Sequence, residues 1–363
     1  MRKATALLLR LSVIFICLSG ISSHAHFVAS APANPPARAF LLAVNQGDKN
    51  ISVIDPAAAR QITTIAEDQT NVWGHEIAAS PDGRLAYVPI YGSTGVGKPG
   101  IDGREMLVID IAARKIAATV DFGRGLRPHC AIYDRASNLV YITTELEDSI
   151  TIVDPRTLKI VGEIPTTQAQ SHMLVIAHDG RRGYTANVEP GTVSVLDMAG
   201  RKTVAVIPIS ANTQRIAISN DDKMVFTSDQ TKPQLAVIDT SKNKIKAWVA
   251  LPSTGYGAAA TRDGRWLLVA MHNAVAVVDL AELKVARTIP VPGEAQEIIT
   301  APDGKAAYVS CDSRVKDTQA GAGDGVVEKR IGQVAVIDLA QWKVEFLIDA
   351  GAGADGLAWV PAP

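Results

Sequence analysis

Three histidines head short apolar runs: His75 in HEIAAS, His129 in HCAIYD and His172 in HMLVIA. Imidazoles suit zinc and copper, and a set of three leaves a fourth coordination position open for chemistry. His75, His129 and His172 are therefore a candidate metal site, with zinc or copper as the candidate ion. The bland reading is that each imidazole caps its strand or bonds a neighbouring backbone. Equivalent places further along hold Gln214, Tyr256, Gln296 and Asp355. All seven are polar or amphipathic, as a ligand-facing ring requires. A second set of loop residues comprises Tyr91, Glu145, Asn187, Glu189, Asp229, His272 and Asp312. Of these, Tyr91, His272 and Asp312 join the candidate ligand-binding residues. His129 with Glu145 pairs an imidazole with a carboxylate, which suits proton transfer. Arg127, Lys98 and Arg104 are placed to hold an anionic substrate. His178, in the turn AHDG, reads as a surface residue.

The stretch GSTGVGKP, residues 92–99, falls one residue short of a phosphate-binding P-loop. Pro99 stands where a Ser or Thr would hold magnesium, and the following GIDGREMLVID leads into a strand rather than a helix. It reads as an insertion, not a nucleotide site.

The elements that position these residues repeat. An apolar run ending in aspartate recurs at Asp55, Asp110, Asp154, Asp197, Asp239, Asp279 and Asp338, at intervals of 55, 44, 43, 42, 40 and 59 residues. A period near 42 with two insertions signals a propeller or solenoid. Each unit offers four short strands rich in Val and Ile, such as HCAIYD, LVYITTE, SITIVD and KIVGEIP, with turns such as PDG between them. Four strands per repeat predict β-propeller blades. Residues 355–361, DGLAWVP, match a first strand, and residues 40–64 supply the second to fourth strands of the same unit. The expected fold is all-β: a seven-bladed β-propeller of four-stranded blades, closed by N-terminal strands and one C-terminal strand in a composite blade. Antiparallel order then puts the heads of the first strands and the second–third loops on one face, at a channel mouth. Insertions at 92–104 and 313–332 fall there as candidate lids.

Bulk properties bound the rest. Arg2 and Lys3 precede an apolar stretch and the small residues SHA, the layout of a signal peptide over 1–25. Arg10 interrupts the stretch, so no transmembrane span is expected after its removal. Residues 26–39 form a Pro- and Ala-rich lead-in, and 40–363 the propeller. Without residues 1–25 the chain has 33 basic and 37 acidic residues, a formal charge of −4. That balance gives nucleic acid no basic track. Cys130 and Cys311 fall on distant blades, which predicts free thiols. A periplasmic or secreted location follows.

LAYVPIYG, LVYITTELEDSITIVDPRTLKIVGEIPT and AAYVSCDS with GQVAVIDLAQWKVEFLI resemble bacterial YVTN-repeat, YncE-like propellers over essentially residues 40–363. That resemblance implies an exported seven-bladed ring and leaves the function open. More narrowly, RPHCAIYDRASNLVYITTELEDSITIVD resembles one blade of the seven-bladed lactonase family. It would make His129 the general acid/base and Glu145 its partner. The family's order is Pro-Arg-His where this chain has Arg127-Pro128-His129, and Thr144 replaces an asparagine.

The leading expectation is a binding module taking a small molecule, envelope component or protein at the channel mouth. A lactonase-like hydrolase or lyase using His129 and Glu145 is one alternative, and a metal protein the other.

Overall fold

A computed structural model describes residues 39–316 and 328–362. The expected signal peptide, all of the lead-in but Ala39, and residues 317–327 of the second insertion lie outside the described residues. Those described form short antiparallel strands in a β-propeller of four-stranded blades. Among them no helix is long and apolar enough to cross a membrane. A single-turn 3-10 helix spans Glu145–Glu147.

The recurrent aspartates explain how each hairpin closes. Each ends a third strand, and its carboxylate accepts backbone N–H groups of the turn that follows. Asp154 accepts from Arg156 at 2.9 Å, Asp279 from Ala281 at 2.9 Å and Asp338 from Ala340 at 2.7 Å. This is the local bonding that makes Asp a turn residue. The carboxylates that define the repeat are thus structural. At the first turn of residues 80–84, Asp82 accepts from Ser80 and from the Arg84 N–H, while Gly83 supplies the positive φ of 70°.

The composite closure is present. Ala354–Val360 pairs with Phe40–Asn45, which pairs with Asn50–Asp55 and then Arg60–Ala66. Leu41 faces Trp359 on one side and Ile54 on the other. The number of sheets differs from expectation: the described residues form six hydrogen-bonded sheets, not seven. The difference arises in two long strands, Trp266–Asp279 and Lys284–Thr300. Each pairs one neighbour along its first half and another along its second. Leu267 faces Ala260 whereas Val275 faces Ile289, and Ile298 faces Val309. Pairing therefore runs unbroken into one six-stranded sheet.

Apolar residues of neighbouring sheets share the core. One cluster joins Ile150 and Ile152 to Leu174, Tyr184 and Ile216. Another joins Leu42 and Val53 to Val88, Leu107 and Val360. Each such side chain contributes about 1.5–3 kcal/mol when fully buried. Cys130 and Cys311 are free and buried, and Cys130 Sγ reaches Leu174 O of the adjacent sheet at 3.7 Å. Trp359 meets Tyr308 at 5.8 Å between ring centroids.

One irregularity recurs at the head of the innermost strands. Pairing along Pro128–Asp134 jumps from Ala131↔Ile142 to Pro128↔Thr144, so His129 and Cys130 oppose Thr143 alone. The same extra residue appears at 214–215, 256–257, 296–297 and 355–356, and near His172. Between Gly74↔Ile90 and Ala78↔Tyr87 the inner strand again holds one residue more than its partner. Such bulges bend a strand and re-aim its side chains. Hydroxyls opposite them satisfy the displaced backbone: Thr143 Oγ1 accepts from Cys130 N and donates to His172 O, both at 2.8 Å.

Candidate functional site

The bulges bring His75, His129 and His172 together. His129 and His172 are stacked, with ring centroids 3.6 Å apart and planes 31° apart. His75 stands 5.2 Å from His129. Tyr91, from the strand Leu85–Gly92, lies 4.8 Å from His75 and edge-on to His129 at 5.2 Å. Glu145 sits beside Tyr91 at the start of the 3-10 helix; burial raises both groups, the Glu145 carboxylate raises Tyr91 further, and Tyr91 partly offsets the rise of Glu145. His129, His172, Tyr91 and Glu145 are all buried.

Little satisfies these groups. His75 Nε2, both nitrogens of His129, Nδ1 of His172, the Tyr91 hydroxyl and both Glu145 oxygens are shut from solvent and make no well-formed hydrogen bond, although Tyr91 interacts with Glu145 and Arg127, and His129 with the His172 backbone. Burial drives the imidazoles towards the neutral form: His75 falls to about 4, and His129 and His172 fall well below the usual histidine range. Burial pushes Glu145 up to about 7. Arg127 lies 5.6 Å above the Tyr91 ring. Its Nε donates to Asp102 at 2.5 Å and its Nη2 to Lys98 O at 2.7 Å. Arg127 thereby ties the first insertion beside the cluster, and Arg104 is drawn away to Asp121.

Beneath the histidines lies a group that alternation along a strand conceals. Arg215 is 5% exposed. Its Nη1 meets Glu76 Oε1 at 2.5 Å and Glu297 Oε2 at 2.8 Å, and its Nη2 meets Asp355 Oδ1 at 2.9 Å. Burial raises Glu76 well above the usual carboxylate range and raises Glu297 too. Asp355 Oδ2 stands 3.6 Å from His75 Nδ1, and Gln46 bonds both residues. A regular strand would turn Glu76, Arg215 and Glu297 away from the side occupied by their predecessors. The bulges put those predecessors and successors opposite a single partner residue. The available signal is that three of the seven residues directly after the aligned ring positions, Glu76, Arg215 and Glu297, are charged.

The remaining expected residues divide. Asp355 joins the site through His75. Gln214, Tyr256 and Gln296 are half-buried at their bulges, without a side-chain bond to the cluster among the described contacts. His272 is exposed beside Glu294 at 3.8 Å, outside the cluster. Asp312 is held by Arg330 at 2.8 Å and accepts the Gly353 N–H at 3.0 Å, contacts that anchor a hairpin. Among the described residues, no group of three or more His, Cys, Asp or Glu is arranged to hold a metal ion. The stacked His129 and His172 present ring faces to each other, whereas coordination uses in-plane lone pairs.

A groove of about 810 Å³ lies elsewhere, among Thr261, Trp266, Asp303, Asp338 and Trp342. Asp338 there is occupied in capping its turn. We place the site at the histidines, where buried polar atoms lack well-formed hydrogen bonds.

Comparison with known proteins agrees with the fold. Residues 133–256 match the family described as the Cytochrome D1 heme domain. Antigen Lp49 of Leptospira interrogans is 26% identical over 257 residues, 69% of this chain and 46% of that protein. The uncharacterized protein YncE of Escherichia coli O157:H7 is 27% identical over 212 residues, 56% of this chain and 60% of that one. The chain thus spans about half the length of the curated relatives it matches. A solved structure of Kuenenia stuttgartiensis hydrazine synthase superposes with a TM-score of 0.51 at 22% identity, over 58% of this chain and 65% of that one. At that identity it speaks for the fold alone. The sequence likenesses make the chain similar to YncE and related β-propellers.

Proposed function

We propose that this protein is an exported, YncE-like propeller that binds a small ligand in the His75–His129–His172–Tyr91–Glu145 cluster at one mouth of its channel. The observation that carries this reading is the set of buried polar atoms without well-formed hydrogen bonds. Each such atom costs about 1–3 kcal/mol while unsatisfied, so a ligand that meets them recovers that energy. The bulged inner strands favour counting the six-stranded sheet as two blades, which makes a ring of seven. Export rests on the leader-like first 25 residues.

A thermal-shift screen for ligands, followed by titration of variants, tests the site. His129→Ala and Tyr91→Phe should each weaken binding at least tenfold, while His272→Ala should not. Unchanged affinity in His129→Ala overturns the assignment.

A second reading, lactone hydrolysis, draws on one observation: a carboxyl pushed up to about 7 can give and take a proton near neutrality. Hydrolysis of a lactone panel that survives Glu145→Gln excludes it. A haem, suggested by the name of the matched family, does not suit these residues. The imidazoles of His129 and His172 are buried and stacked ring on ring, which turns their faces to each other rather than their nitrogens to a shared ligand.

A further inference from the structure

We infer that residues 93–101 form a strap, latched by Arg127, that shuts the histidine cluster from solvent and lifts to admit a ligand. This rests on the site proposed above and names the device that controls entry to it.

The connection is out of scale with its neighbours. In the next three blades the second and third strands are joined by residues 145–148, 188–191 and 230–233, four in each case. In the first blade residues 93–101 make nine. The base of this loop is closed: Ser93 N donates to Ile101 O at 3.0 Å, and Ile101 N donates to Ser93 Oγ at 2.7 Å. Further along, Thr94 Oγ1 donates to Lys98 O at 3.0 Å and Lys98 N to Gly95 O at 3.1 Å. These bonds lie within the loop, whose ends are close, so it keeps its own shape and can move as one piece.

Its reach decides what it covers. Leaving the first blade, it meets the second at Arg127, whose Nη2 donates to Lys98 O at 2.7 Å. The Nε of the same guanidinium donates to Asp102, at the foot of the loop, at 2.5 Å. The loop then extends to the third blade, where a methyl group on Gly97 would lie 3.3 Å from both Gln170 Nε2 and Glu189 Oε1. Under that span Arg127 lies 5.6 Å above the Tyr91 ring. Tyr91 in turn has all three imidazoles within 6.3 Å between ring centroids. The order is strap, Arg127, Tyr91, histidines.

What holds the strap down is polar. Gly95, Gly97, Lys98, Pro99 and Gly100 are exposed, and Ile101, its largest apolar side chain, is 54% exposed. Lifting it exchanges the Arg127 bonds for bonds to water and exposes little apolar surface. Segments of that kind sit at the low end of local stability, from which gating loops are drawn.

The test uses the full chain and diethyl pyrocarbonate, a reagent that must reach an imidazole nitrogen, with peptide mass spectrometry reading each histidine. The exposed His178 and His272 are references within every sample. In the unaltered chain His129 and His172 should react at least a hundredfold more slowly than His272. One variant replaces residues 94–100 with Asn-Gly, a two-residue turn that suits the paired Ser93 and Ile101. It should speed both reactions at least tenfold. Asp102→Asn, which weakens the latch at a partly exposed side chain, should speed them at least threefold. Asp121→Asn, the same change at the exposed pair with Arg104, should not. Each variant is checked for native unfolding, and Asp102→Asn decides alone if the shortened chain does not fold. Rings that stay protected in the shortened chain or in Asp102→Asn, or that react like His272 in the unaltered chain, overturn the inference. No ligand enters this measurement. Protection lost in both variants therefore upholds the strap even where the thermal-shift screen finds no binder and the ligand site falls.

Discussion

Arg215 Nη2 and Asp355 Oδ1 lie 2.9 Å apart across 140 positions of sequence, joining an inner strand of the ring to the strand that closes it. Glu76 and Glu297 complete the grip on the same guanidinium. Removing one partner of such a buried group leaves uncompensated charge, at a cost of about 3–5 kcal/mol. Arg215→Met should therefore lower stability by about that much in urea unfolding. A loss below about 1 kcal/mol would mean the carboxylates are satisfied without it.

Glu145 should make stability depend on pH. Its folded pKa is raised to about 7 from an ordinary 4.5, so the folded state holds a proton that the unfolded chain releases. Its contribution is fully present below about 4.5 and is lost as pH rises through about 7, over a range of up to about 3 kcal/mol. Glu145→Gln should flatten that part of the profile. An identical slope between pH 4.5 and 7 in both proteins would refute the shift.

His75 acts in the opposite sense. Its folded pKa falls to about 4, so its contribution is intact above about 6.5 and is lost as pH drops through about 4. His75→Gln should lessen the loss of stability between pH 6.5 and 4, measured by chemical unfolding at stepped pH. An unaltered acid limb would show that His75 is already protonated in the folded state.

Gly356 is small for a reason that one substitution can check. A methyl group there would lie 2.5 Å from His75 O and 2.6 Å from Glu76 Cα, and the Gly356 N–H donates to that same His75 oxygen at 2.9 Å. Backbone cannot swing aside as a flexible side chain would. Overpacking of this kind costs about 1–3 kcal/mol, so Gly356→Ala should lower the melting temperature by several degrees. Gly264→Ala is not a fair control, because its φ of 68° adds strain of its own.

Deleting residues 354–363 removes the closing strand and Asp355 together. The inner edge of Phe40–Asn45 loses its partner, and the hub loses one of its three carboxylates. Calorimetry should show a melting temperature lowered by more than 10 °C or no cooperative transition. Deleting only residues 361–363 should leave the transition nearly unchanged.

How far the sequence could be read follows from its periodicities. The aspartates and four-strand spacing predict the blades because each Asp closes a turn that every repeat needs. The paired ends at 40–45 and 354–360 are legible for the same reason. His75, His129, His172, Tyr91 and Glu145 were found through alignment of repeats, and their contact in space follows from that alignment. Glu76, Arg215 and Glu297 are not legible in the sequence, because alternation along a regular strand turns each away from its ring neighbour, whereas the inner strand carries an extra residue there. Asp312 pairs with Arg330, which belongs to a long hairpin that the repeat pattern does not predict. The sheet count failed where pairing runs on through Trp266–Asp279 and Lys284–Thr300.

Gln46 and Asp355 come from opposite sides of the composite sheet's seam, and both touch His75. During synthesis the three histidines and Tyr91 are made long before Asp355 emerges. A ring left open would carry the cluster without this clasp, and Arg215 would lack one of its counter-charges. Recognition should therefore be acquired late, by finished molecules only, which makes ligand binding itself a check that the ring has closed.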